Sequence, residues 1–148
     1  MLASQNDRPE LAAVASAVRR VVSTRRSVQA AFVFGSVASG RARRDSDVDV
    51  AVLLSKRPAD VLTFRLGLMA DLGHALGRSD VDIIILNGAT PLLAQRVLSR
   101  GSLVFERSAS ARVRFQVSTA SRYLDLVPTY EACIRSLKSG LRRRRAGG

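Results

Sequence analysis

Three aspartates and a Gly-Ser pair are the residues of this 148-residue chain whose types and spacing suit chemistry. Gly35-Ser36 closes the apolar run Phe32-Val33-Phe34. After ten intervening residues, Asp47 and Asp49 stand at the head of a second apolar run, and Asp82 lies inside a third, Val81-Asp82-Ile83. Alternate residues of a strand point the same way, so Asp47 and Asp49 are expected to project together while Val48 and Val50 face the core. Two like charges that close repel, and a cation between them removes the penalty. Carboxylate oxygens suit Mg²⁺, which binds through one or two carboxylates and the phosphates of a substrate. Zinc is disfavoured by a chain with one cysteine and one histidine.

Asp82 in an apolar strand is costly unless a metal or a partner compensates it. If its strand neighbours the second, it reaches the same site, as a ligand or as the base for an attacking hydroxyl. Asp80, nearer the strand's start, is expected to be exposed. Gly35 allows a sharp turn, the amides that follow favour an anion, and the Ser36 hydroxyl adds a donor. Together these would hold the β- and γ-phosphates of a nucleoside triphosphate, with Mg²⁺ bridging them to the aspartates. The chemistry implied is attack of a hydroxyl on the α-phosphorus with pyrophosphate leaving, catalysed by positioning and charge compensation. Gly-Ser alone is a common turn and Asp-x-Asp alone a common solvated pair. Their joint placement on consecutive strands carries the reading. Asp45 and Ser46 read as turn formers. Arg41, Arg43 and Arg44 read as a solvated loop, or as counter-charge for the triphosphate or an acidic acceptor.

The elements that must position these residues follow from periodicity and breakers. Pro9 to about Val22 reads as an amphipathic helix capped by Asn6 or Asp7, with Leu11, Val14, Ala15, Val18 and Val22 on one face. Gln29–Phe34 is a buried strand, Ser36–Ser39 a single helical turn ended by Gly40, and Asp49–Leu54 a second strand. Asp60 to Leu76 is a helix ended by Gly77, with Leu62, Leu66, Met69, Leu72 and Leu76 as its apolar face. Val81–Leu86 is a third strand, Asn87-Gly88 a turn, Pro91–Arg100 a helix, and Ser102–Phe105 a short edge strand. From Ala109 the pattern is helical, and Pro128 is expected to divide it into Ala109–Leu126 and Thr129–Arg143. The fold class is therefore α/β: a small mixed β-sheet with flanking helices and a C-terminal helical tail. Residues 1–108 form the core with its N-terminal helix. Residues 109–148 form the C-terminal helices and basic tail, in the same domain.

Composition bounds the function. A chain of this length with 47% hydrophobic residues can bury a core of its own. No apolar run reaches the roughly 18–20 residues of a membrane span. The N-terminus lacks the pattern of a signal peptide, so a cytoplasmic location is expected. Cys133 cannot form an internal disulfide, and it is expected to be a small buried or half-buried residue. The net charge of +12 is almost all arginine, with Lys56 and Lys138 the two lysines. Such a field favours nucleic acid, nucleotides or an acidic protein. Arg142–Arg145 reads as a solvated tail. With few aromatics and no tryptophan there is no stacking platform, so nucleic acid is a secondary expectation.

Gly35-Ser36, ten residues, then Asp47-x-Asp49 resembles the signature of the DNA polymerase beta-like nucleotidyltransferases, and the short chain looks like their minimal, MNT type. Val81-Asp82-Ile83 matches the setting of that family's third acidic residue. Leu86-Asn87, Pro91 through Gly101, and Tyr123-Leu-Asp125-Leu-Val-Pro128 also look like this group. The resemblance spans about Gln29 to Arg135, and its core motif is its most specific part. It implies an Mg-ATP-dependent antitoxin that transfers AMP to a tyrosine hydroxyl of a cognate HEPN-domain ribonuclease toxin and binds that toxin as a hetero-oligomer. By motif match, Gly35, Ser36, Asp47 and Asp49 would hold the nucleotide. Asp47, Asp49 and Asp82 would be catalytic and hold magnesium, two ions being expected. Relatives often carry Ala-Arg-Gly where this chain has Ala38-Ser39-Gly40, with Arg41 or Arg43 as the substitute. The alternatives are a non-catalytic binding antitoxin, or a nucleotidyltransferase acting on a small-molecule or nucleic-acid acceptor. Tyr123 and Tyr130, seven residues apart, read as a packing face or as a contact for the toxin.

Overall fold

The structure, a computed structural model, describes residues 8–147. Helix α1 (Leu11–Ser23) opens it, burying Val14, Ala15, Ala17, Val18 and Val22. The expected caps Asn6 and Asp7 lie outside the described residues. Glu10 stands at the N-cap position without a side-chain cap hydrogen bond. Strand β1 (Val28–Phe34) runs into the one-turn helix α2 (Gly35–Ala38), and strand β2 (Val48–Leu54) follows the arginine loop. Helix α3 (Val61–Leu76) leads to strand β3 (Val81–Ile85) and a 3-10 turn, Leu86–Gly88. Helix α4 (Pro91–Arg100), strand β4 (Ser102–Glu106) and the long helix α5 (Ala109–Ala146) complete the chain.

The four strands form one mixed sheet in the order β3-β2-β1-β4. β1 pairs antiparallel with β2 and β4, whereas β2 and β3 are parallel and joined through α3. Alternation then splits the core in two. Val48, Val50, Val52, Val81, Ile83 and Ile85 pack with residues of α1 and α3 on one face. Ala30, Phe32, Ala51, Leu53 and Leu86 pack with Ala94 and Val97 of α4, and with Phe115 of α5, on the other. β4 is an edge strand, as expected, and β3 is the opposite edge.

Four expectations are corrected. Leu62 and Leu66 are 62% and 53% exposed, and α3 buries Leu68 in their place beside the expected Leu72. Pro128 does not end a helix, because α5 runs through it from Ala109 to Ala146. A proline there removes one helical hydrogen bond and crowds the preceding turn, but Pro128 is exposed, where water can satisfy the freed carbonyl. Cys133 is exposed, since the far half of α5 extends past the sheet and α4. Asp80 is half-buried and paired with Arg78. Among the described residues no helix is long and apolar enough to cross a membrane.

Candidate active site

Pairing register assembles the site. β1 and β2 are antiparallel with Phe34 opposite Asp49, so the turn that follows Phe34 is delivered beside the aspartates that open β2. Gly35 has φ +71°, and a Cβ built on it would collide with the Asp49 carboxylate. Only glycine permits both the left-handed backbone and that approach. α2 starts there, and the first N–H groups of a helical turn lack intrahelical partners, so they are donors for an anion. The turn is closed from within: the Ser39 hydroxyl and the Arg41 N–H both donate to the Ser36 carbonyl, at 3.1 and 2.9 Å.

Parallel pairing of β2 with β3 sets Asp49 directly opposite Asp82. The three sequence-predicted carboxylates therefore belong to one end of adjacent strands, while Val48 and Val50 are buried in the core as expected. Burial first, then the charges of Asp82 and Asp47, push the Asp49 carboxyl above its usual range. That is the electrostatics of a carboxylate set whose mutual repulsion a divalent cation would relieve. Among the described residues, no three acidic, histidine or cysteine side chains converge tightly enough to hold an ion by themselves. The Asp82 carboxylate is engaged by Arg65 of α3, whose Nη2 donates to Oδ1 at 2.7 Å. Two carboxylates at the turn fit magnesium, which completes its shell from waters and substrate phosphates rather than from an all-protein cage.

Two arginines shape this site that sequence reasoning did not single out. Arg78 donates to both carboxylate oxygens of Asp80, at 2.8 and 2.6 Å, and to the Ser46 and Arg44 carbonyls at 2.9 and 3.2 Å. The loop arriving at Asp47 is thereby clamped to the start of β3, where the Val48 N–H also donates to the Asp80 carbonyl at 2.9 Å. The Arg78 guanidinium holds the Asp80 carboxyl below its usual range. Arg65 is the second, through Asp82. The sequence signal available for Arg78 was its place two residues before an aspartate. Arg65 gave none, because its contact is made between elements 17 residues apart. Arg41 and Arg43 are exposed on the loop beside the turn.

The arrangement is a phosphate-holding turn in contact with a carboxylate pair, with a third carboxylate on the neighbouring strand. The family described as "Polymerase beta, Nucleotidyltransferase" matches residues 17–110. The protein adenylyltransferase MntA of Shewanella oneidensis is 32% identical over 107 residues, which is 72% of this chain and 74% of that protein. Among solved structures, a toxin–antitoxin complex with AMP-PNP superposes with a TM-score of 0.72 at 27% identity, covering 84% of this chain and 98% of the other. A complex of a tri-AMPylated Shewanella oneidensis HEPN toxin with MNT antitoxin gives 0.66 at 25% identity, covering 84% and 98%.

Proposed function

This chain belongs to the polymerase beta nucleotidyltransferase family, and from that premise we propose that it is an antitoxin that transfers AMP from ATP to a tyrosine hydroxyl of a HEPN-domain toxin. The observation that carries the reading is the contact between Gly35 and Asp49, which joins a phosphate turn to a carboxylate pair. The relatives supply the reaction class: a protein adenylyltransferase by name, and a complex whose toxin is AMPylated.

In the proposed reaction Gly35 and Ser36 hold the triphosphate through turn amides and the serine hydroxyl. The tyrosine oxygen attacks the α-phosphorus, an O–P bond forms, and the bond from the α-phosphorus to the bridging oxygen of pyrophosphate breaks. Asp82 takes the hydroxyl proton. Asp47 and Asp49, with Asp82 on the neighbouring strand, would hold magnesium, two ions being expected, with phosphates and waters completing the shell. Magnesium, when bound, would supply neutralisation of the negative charge that develops in the transfer. Arg78 holds the Asp47 loop in register, as a positioning residue. The setting is the cytoplasm, where ATP and magnesium are supplied.

The far half of α5 supports a binding role beside the catalytic one. Tyr130, Ile134, Leu137 and Leu141 recur at alternating spacings of four, three and four, so they share one face. Ile134, Leu137 and Leu141 are 51%, 65% and 61% exposed. Spacing of this kind is the seam of a helix that packs against another helix.

The test is intact mass of the toxin after incubation with ATP and Mg²⁺. Wild type is expected to add AMP, and an Asp47→Asn/Asp49→Asn variant to lose transfer by about a thousandfold or more while still binding the toxin. A toxin that gains no AMP with wild type sinks the enzymatic reading. Full neutralisation of the toxin by the double variant in cells would favour a purely binding antitoxin.

A further inference from the structure

The open edge of β3 carries a second feature, distinct from the turn and the carboxylates. A cleft of about 250 Å³ lies between β3, the start of α3 and α4, with Val61, Ile83, Ile85 and Leu93 as apolar walls and Arg57 and Arg65 as its charges. Pockets that enclose a whole small molecule run to roughly 300–1,000 Å³, so this one is of the size that takes a side chain or two. Its cations have hydrogen-bonding capacity to spare. Arg65 uses Nη2 on Asp82, and its Nε is buried without a partner. Arg57 makes no hydrogen bond or ion pair among the described residues. Its guanidinium carbon stands 3.6 Å from where a Cβ on Gly88 would be. Leu62 and Leu66, one turn apart on α3 and both more than half exposed, lie next to Val61 and Arg65 on the same helix.

We propose that this cleft seats the acceptor segment of the partner protein, a segment that carries a carboxylate beside the hydroxyl to be modified, with Leu62 and Leu66 as its apolar rim. The inference rests on the reading above, that the chain transfers AMP to a protein. Charge selects the occupant. Two guanidiniums with unused donors recognise a carboxylate through paired N–H donors, while the apolar walls and rim suit an aromatic or aliphatic neighbour. Arg65 ties the cleft to the chemistry, because the same guanidinium that lines it holds Asp82. β3 is an edge strand and offers its outer backbone groups to an extended peptide.

The experiment compares wild type, Arg57→Glu, Arg57→Lys and Leu62→Ser/Leu66→Ser. Four readouts are taken: AMP transfer to the HEPN toxin, affinity for that toxin, binding of a fluorescent ATP analogue with no toxin present, and binding of single-stranded RNA. Arg57→Glu is expected to raise KM for the toxin about tenfold or more with kcat little changed, since like charge replaces complementary charge. Arg57→Lys should recover part of that loss, and the double leucine variant should raise KM severalfold. Nucleotide binding should be unchanged in all three. Unaltered KM in both Arg57→Glu and the leucine variant overturns the proposal. Loss of single-stranded RNA binding in Arg57→Glu, with KM for the toxin kept, overturns it in favour of a nucleic-acid contact. If wild type binds the toxin and transfers nothing, the enzymatic reading fails by itself. The cleft then stands only if Arg57→Glu weakens the complex tenfold, and falls otherwise.

Discussion

Gly35 is where the two halves of the site touch, and its demand is steric rather than chemical. Its left-handed backbone is strained for any side chain, and the space a Cβ would fill belongs to the Asp49 carboxylate. Gly35→Ala is therefore expected to cost about 1–3 kcal/mol of stability and to displace Asp49. Urea denaturation and the transfer assay check both, and a stable, fully active variant would refute the argument. Ser39 works locally: its hydroxyl closes the turn onto the Ser36 carbonyl. The acidic set itself was legible in the chain, because its alternation and apolar flanks are local patterns. Arg65 and Arg78 were not, because a guanidinium's partner is chosen by where other elements bring their oxygens.

Among the elements, α3 shows both what periodicity decides and what it leaves open. Its ends were legible. Asp60 is the N-cap, accepting from the Thr63 N–H at 3.0 Å and the Thr63 hydroxyl at 2.6 Å, and Gly77 ends the helix at φ +64°. Those hydrogen bonds lower the Asp60 carboxyl from its ordinary 3.8. A folded value below the unfolded one gives stability that is complete above the unfolded value and is lost as pH falls through the folded one. Thermal melts across the acid range should therefore show wild type losing more stability below about pH 4 than Asp60→Asn, which keeps an uncharged cap. Parallel acid limbs would refute this. The buried face of α3 was not legible. Apolar residues surround the helix, so a stripe that reaches Leu72 through Leu62 and Leu66 fits the period as well as one that reaches it through Leu68. The sheet chose the latter. In α5 the competing effects ran the other way: Pro128 is a helix breaker by propensity, yet the helix continues on both sides of it.

At the scale of the whole molecule, α5 and the charge go together. A helix of 38 residues is about 57 Å long at ordinary rise, and its far half leaves the body with its stripe uncovered. Ile134→Asp/Leu137→Asp should weaken the toxin complex about tenfold or more, as loss of central apolar anchors does, with ATP-analogue binding unchanged. Calorimetry with the toxin checks it, and wild-type affinity in the double variant would remove α5 from the interface. The +12 charge favours an acidic partner for the same surface. The sequence by itself determined the strands, most helix ends and the chemical character of the site. Those follow from spacing along the chain: period two for the carboxylates, a turn glycine, and caps within a few residues of what they cap. Only the tertiary structure decided that Phe34 lies opposite Asp49 and Asp49 opposite Asp82, that Arg65 reaches Asp82, and that Leu62 and Leu66 stay outside. Register between strands and the choice of a helix face are settled by packing energy shared among distant residues, which no local pattern encodes.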